Sequence, residues 1–273
     1  MDSGVLALQH LKAARVLLQA ALQLPESQLS RETRAFLIER YTYTMVLAHI
    51  TMGPDSDQWV LDDTALLFPM MQNGLSGYPG TMSGCVHELF CLIPKVSILA
   101  REWRDGKLLG LDLEDVAAQY MSLHSIIASW EANSTDELHN LCGRLYQQAL
   151  LVYLASSFEQ EDELSHQQQT YSSAVQQAFD TFIPFLQSIP LESMISTTLC
   201  WPLAIFGSCA RSREHRHAIA LRLDSLSSTY AAQSVRDTKK LLELMWEEDN
   251  PHAANPLGFE DMMKRAKMTV LFL

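Results

Sequence analysis

Residues Thr197–Trp246 read TTLCWPLAIFGSCARSREHRHAIALRLDSLSSTYAAQSVRDTKKLLELMW, and this stretch decides the fold class. From Ser193 to Ala210 no residue is charged, which predicts a helix buried on every side. A basic connector follows, with Arg211, Arg213, His215, Arg216 and His217 close together. Beyond it Ile219, Leu223 and Leu226 recur at helical spacing, and Leu241, Leu242 and Leu244 lead to Trp246. One buried helix and two amphipathic ones therefore fill fifty residues without a strand-like alternation.

Working outward, the same rhythm covers the whole chain. Val5, Leu8, Leu11, Ala14, Leu17, Leu18 and Ala21 form a helical stripe over residues 3–24, stopped at Pro25. Ser30 with Thr33 opens a second helix that ends before Gly53-Pro54, with Phe36, Leu37, Tyr41, Thr44 and Leu47 on its apolar face. Trp59–Met71 reads as a looser apolar segment, and Gly74–Gly80 as the strongest loop. Ser83 is the expected cap of a helix reaching Trp103, kinked at Pro94 and ended by Asp105-Gly106. Helices are expected over 112–131, after Ser134 or Thr135, over Tyr171–Leu186, over 191–210 and at the C-terminus from Phe259. The expected fold is all-α, a bundle or array of about ten helices in one domain, with a polar break near 156–169.

Composition narrows the function classes. Hydrophobic residues make up 48% of the 273 and charged residues 19%, so the chain can bury a core. Twenty Lys and Arg against 32 Asp and Glu leave a net charge of −12. Such a surface repels phosphate, so the chain alone is not expected to bind nucleic acid. Five cysteines, Cys85, Cys91, Cys142, Cys200 and Cys209, are irregularly spaced in apolar sequence and read as reduced, buried thiols of a nuclear or cytoplasmic protein. The N-terminal run is interrupted by Gln9, His10 and Lys12 and lacks the layout of a signal peptide, and no membrane span is expected.

Catalytic and metal motifs fail one by one. Gly74-Leu75-Ser76-Gly77-Tyr78 lacks the last glycine of a nucleophile elbow, and no strand precedes it. No Gly-Lys-Ser/Thr follows the glycines at 74, 77, 80 and 84. His87-Glu88 begins a zincin pattern, but Cys91 stands where its second histidine belongs. His215 and His217 are two apart, the wrong spacing for one helix face. No catalytic residue, metal site or cofactor is assigned. Arg211, Arg213, Arg216 and Arg222 read either as a clamp for an anionic partner or as cations complementing the preceding helix's C-terminal dipole; the second reading is preferred. Phe90, Tyr146, Tyr153, Phe182, Trp201 and Trp246 are candidates to line an apolar pocket, with plain core as the alternative.

Three blocks carry a family resemblance. The first is Trp201-Pro202-Leu203, small residues Gly207 to Ala210, Arg216, the Ile219/Leu223/Leu226 stripe and Leu241-Leu242-x-Leu244-x-Trp246. The second is Gly84-x-x-x-Glu88-Leu89-Phe90-x-Leu92-Ile93 with Val96 to Ala100, and the third Leu145-Tyr146-x-x-Ala149-Leu150-x-x-Tyr153-Leu154. In this order they resemble the fungal-specific transcription factor domain, the C-terminal regulatory domain of zinc binuclear-cluster regulators. Regulators of sterol uptake are similar over this region. The resemblance implies a helical module controlling a fungal metabolic gene set through protein partners, a homodimer or an apolar effector such as a sterol or polyketide. An enzyme reusing the helical cavity is the rival reading. No Cys-x-x-Cys occurs in the 273 residues, so the zinc cluster is missing from this sequence, and the match starts where the family domain is already under way, as in an N-terminally shortened form.

Overall fold

The computed structural model describes residues 3–74, 86–132, 134–158, 173–248 and 254–272. Among them every regular element is a helix or a 3-10 turn, and there is no strand. The helices are α1 (Ser3–Leu22), α2 (Arg31–Met52), α3 (Asp57–Gly74), α4 (His87–Phe90), α5 (Ile93–Leu109) and α6 (Glu114–Ala128). Then come α7 (Glu137–Phe158), α8 (Ser173–Ser188), α9 (Cys200–Cys209), α10 (Arg213–Tyr230), α11 (Gln233–Glu248) and α12 (Gly258–Ala266). Short 3-10 turns, Pro54–Ser56 and Met194–Thr198, lead into α3 and α9.

Local chemistry explains most boundaries. Ser30 caps α2 by accepting the Thr33 amide, and Ser212 caps α10 by accepting that of His215, each filling an orphan donor of a first turn. Asp136 accepts the Leu138 amide at 2.9 Å at the start of α7, one residue beyond the caps expected there. Gly110 ends α5 with φ +66°, while the Leu111 and Gly110 amides return to the carbonyls of Gly106 and Lys107. This pair of bonds is a Schellman stop.

Several expectations are corrected. The looser segment after Trp59 is instead the long helix α3, with Pro69 inside it. Pro94 does not kink a helix; it stands in the first turn of α5, where a missing amide is harmless, and α4 is a separate turn before it. Gly106 does not end α5: a Cβ there would come 2.5 Å from Leu113 Cδ2, so its bareness serves packing. The expected 191–210 helix begins only at Cys200, after the 3-10 turn. Leu17 and Phe36, both assigned to inward faces, are 70% and 46% exposed. Residues 75–85 and 159–172, which include the glycine loop, Ser83 and most of the polar break, lie outside the described residues.

The core is one continuous apolar cluster. Helix α7 runs through its middle and packs against α4, α5, α6, α8 and α9. All ten residues of α9 are buried, which accounts for its lack of any charge. On one flank α1, α2 and α3 pack in series, and on the other α9, α10 and α11 pack together.

Candidate functional site

The C-terminal signature folds into a closed clamp. Trp246, at the end of α11, donates its indole N–H to the Gly207 carbonyl on α9 at 2.8 Å. Arg216, on α10, donates its Nε–H to the Ala210 carbonyl at 2.8 Å and Nη1 to the Trp246 carbonyl at 3.3 Å. Its guanidinium carbon also lies 6.0 Å from the Trp246 ring centre. Carbonyls at the end of α9 thus accept from side chains of the next two helices, that of Gly207 in addition to the Ala210 amide. Close approach requires Gly207, where a Cβ would stand 2.4 Å from Leu242 Cδ1. Small residues, Arg216 and Trp246 are therefore linked parts of one device.

The four arginines do not form one patch. Arg222 is buried and donates Nη2 to the Leu186 and Ile189 carbonyls, the latter at 2.6 Å, so it finishes the C-terminus of α8. Burial pulls its pKa below the ordinary arginine value. Arg216 belongs to the clamp, Arg213 is exposed at the start of α10, and Arg211 is half-buried between helices. Arg216 and Arg222 answer carbonyls at helix C-termini, Arg222 on a helix far away in sequence.

The aromatic candidates divide into separate contacts. Tyr43 stacks on Phe90 at 5.4 Å between centroids, Phe90 tilts against Tyr146 at 6.2 Å, and Tyr146 stacks on Trp201 at 5.5 Å. Tyr146 donates its hydroxyl to the Thr198 carbonyl at 2.7 Å. Phe182 stacks on Phe206 at 3.6 Å, against which Phe179 packs edge-on. Tyr153 donates to Ser97 Oγ at 3.2 Å. Phe90, Tyr146, Tyr153, Phe182 and Trp201 are fully buried, while Trp246 sits half-exposed in the clamp. Burial pushes the Tyr146 phenol well above its ordinary pKa and the Cys200 thiol up to about 12, so both stay protonated at neutral pH.

Two polar networks escaped sequence reasoning. Asp63, nearly buried on α3, accepts from Tyr41 at 2.6 Å and from Arg15 Nε at 2.8 Å, tying α1, α2 and α3 together. Asp57 Oδ1 meets His49 Nε2 at 2.8 Å and Arg101, while Arg101 Nη1 reaches Ser97 Oγ at 3.0 Å. Burial raises the Asp57 carboxyl, but the hydrogen bonds from His49 and Arg101 outweigh it and hold the pKa low. Burial drives His49 the other way, below its usual 6.5, so Nε2 carries a proton and the ring is neutral. The partners are 44 and 48 residues apart for Arg101–Asp57 and Arg15–Asp63, beyond any local pattern.

Among the described residues no group of three His, Cys, Asp or Glu is placed to hold a metal ion, and no helix is long and apolar enough to cross a membrane. The family model described as the fungal-specific transcription factor domain matches residues 2–273. The chain belongs to this family. Comparison with curated proteins and with solved structures gives no further match. As a fungal-specific transcription factor domain the chain has a regulatory role, in a family that is not one of enzymes. The clamp and the buried α9 are then the domain's scaffold.

Proposed function

We propose that this chain is a transcription-regulatory module that works by docking to protein partners in the nucleus and does not itself grip DNA. One observation carries the reading: the regulatory-domain family match spans 2–273, while the sequence is strongly acidic, at −12. A surface of that sign gains nothing from releasing counterions on a duplex, so contact with DNA comes through another basic component. The catalytic alternative is disfavoured because the matched family is not one of enzymes. Of the aromatic candidates for an apolar pocket, Phe90, Tyr146 and Trp201 pack in series and Phe182 stacks on Phe206, which favours partners over a sterol-like effector in the core.

Transcript profiling of matched fungal strains with and without the chain tests this. A discrete metabolic gene set should shift several-fold, and the purified chain should show no salt-sensitive binding to naked duplex. An unchanged transcript profile would overturn the regulatory reading, and tight salt-sensitive binding would overturn the partner-dependent part of it.

A further inference from the structure

The Schellman stop at Gly110 has an unusual consequence. In such a stop the residue after the left-handed glycine commonly rests on an apolar side chain three or four positions inside the helix. Here those positions are Gly106 and Asp105, and Leu113 fills the space over Gly106. Leu111 is left without its usual seat and is 59% exposed. Leu108 and Leu109 beside it are 79% and 72% exposed, so three leucines within four residues face outward. Native surfaces seldom concentrate large apolar side chains this way unless something covers them.

Next to these leucines is a cleft of about 380 Å³ between α5 and the start of α6. Ile98, Leu109, Leu111 and Leu113 supply its apolar wall, and the Asp57–Arg101 ion pair closes one side. Its other charged lining is Glu102, Asp105 and Asp112, all exposed. Nearby cations are committed: Arg101 to Asp57, Arg104 to Asp105, and the Lys107 ammonium lies over the Trp103 ring. The rim therefore presents net negative charge around an apolar groove.

We propose that this cleft is the docking groove for a basic, apolar segment of a protein partner. Apolar side chains of the segment cover Leu109 and Leu111 and enter the cleft, while lysine or arginine side chains meet Glu102 and Asp112. Charge complementarity selects this occupant. A second copy, also carrying −12, would bring like charge to the rim. A neutral small molecule would leave the carboxylates unused. The inference rests on the partner-docking reading only in linking that partner to transcription; the groove itself is tested on the purified chain.

The probe is a fluorescein-labelled helical peptide of about 15 residues, with leucines three and four apart and lysines elsewhere, followed by anisotropy against the full chain. Leu109→Ser with Leu111→Ser, and separately Glu102→Lys with Asp112→Lys, should each weaken binding about tenfold or more. Glu192→Lys with Glu247→Lys makes the same charge change on exposed residues elsewhere and should weaken it less than about twofold. All six positions are exposed, and unchanged thermal midpoints would verify folding. Equal losses from both charge pairs would overturn the proposal, as would leucine variants that bind normally. Self-association of the unaltered chain that the leucine pair abolishes would assign the groove to a second copy instead. A null transcript profile with a specific peptide result would defeat the regulatory reading and leave the groove standing.

Discussion

Trp246 and Gly207 stand 39 residues apart, yet the indole of one donates to the carbonyl of the other at 2.8 Å. The bond needs the backbone of α9 close to α11, which Gly207 permits because no Cβ meets Leu242. Replacing Trp246 by Phe keeps the ring and removes the donor, and should cost about 1–3 kcal/mol. Gly207→Ala forces Leu242 aside and should cost about 1–3 kcal/mol. Since the two act on one contact, the double variant should lose less than the sum. Urea unfolding midpoints check all three.

Arg222 secures the end of α8 from α10. Its guanidinium Nη2 answers both the Leu186 and Ile189 carbonyls inside the protein, a point the shorter lysine side chain does not reach without a shift. Arg222→Lys should lose about 1–2 kcal/mol and Arg222→Ala about 2–3 kcal/mol by denaturant unfolding.

Asp63 joins three helices, so its loss should be felt most at the N-terminus. Asp63→Ala leaves the Tyr41 hydroxyl and Arg15 without their acceptor and should cost about 2–3 kcal/mol. Hydrogen exchange should quicken in α1 and the first half of α2 and change little in α9, whose ten residues are all buried.

Mild acid should weaken the fold before its carboxylates titrate. Burial holds the pKa of His49, His87 and His215 below the ordinary 6.5. The unfolded chain takes up protons on these rings near 6.5, while the folded chain resists, so protons favour unfolding. Stability should be full above that pH and fall as the pH drops from about 6.5 towards 5. Asp57, also depressed, adds its loss only below its ordinary 3.8. Urea midpoints across this range should show the fall, and His49→Gln should flatten it.

How much of this was legible in the sequence depended on how local the cause was. Helices α9, α10 and α11 were readable because a charge-free run and two apolar stripes are properties of neighbouring residues. The family blocks were readable for the same reason. The end of α5 was misplaced because Gly106 looks like a stop, whereas its cause is Leu113 packing over it. Helix α3 looked loose because Asp62 and Asp63 interrupt its apolar run, and only the fold shows Asp63 paired to Arg15 and Tyr41. The arginine cluster was visible, but its split between the clamp and the end of α8 was not, since Leu186 precedes Arg222 by 36 residues.

The most direct test is a tethered reporter. The 273-residue chain is fused to an unrelated DNA-binding domain whose site lies upstream of the reporter in a fungal host, beside the same chain expressed untethered. Tethering should raise or lower reporter transcription several-fold, and the untethered chain should leave it unchanged. A folded, tethered chain that leaves transcription at the level of the DNA-binding domain alone would contradict the account.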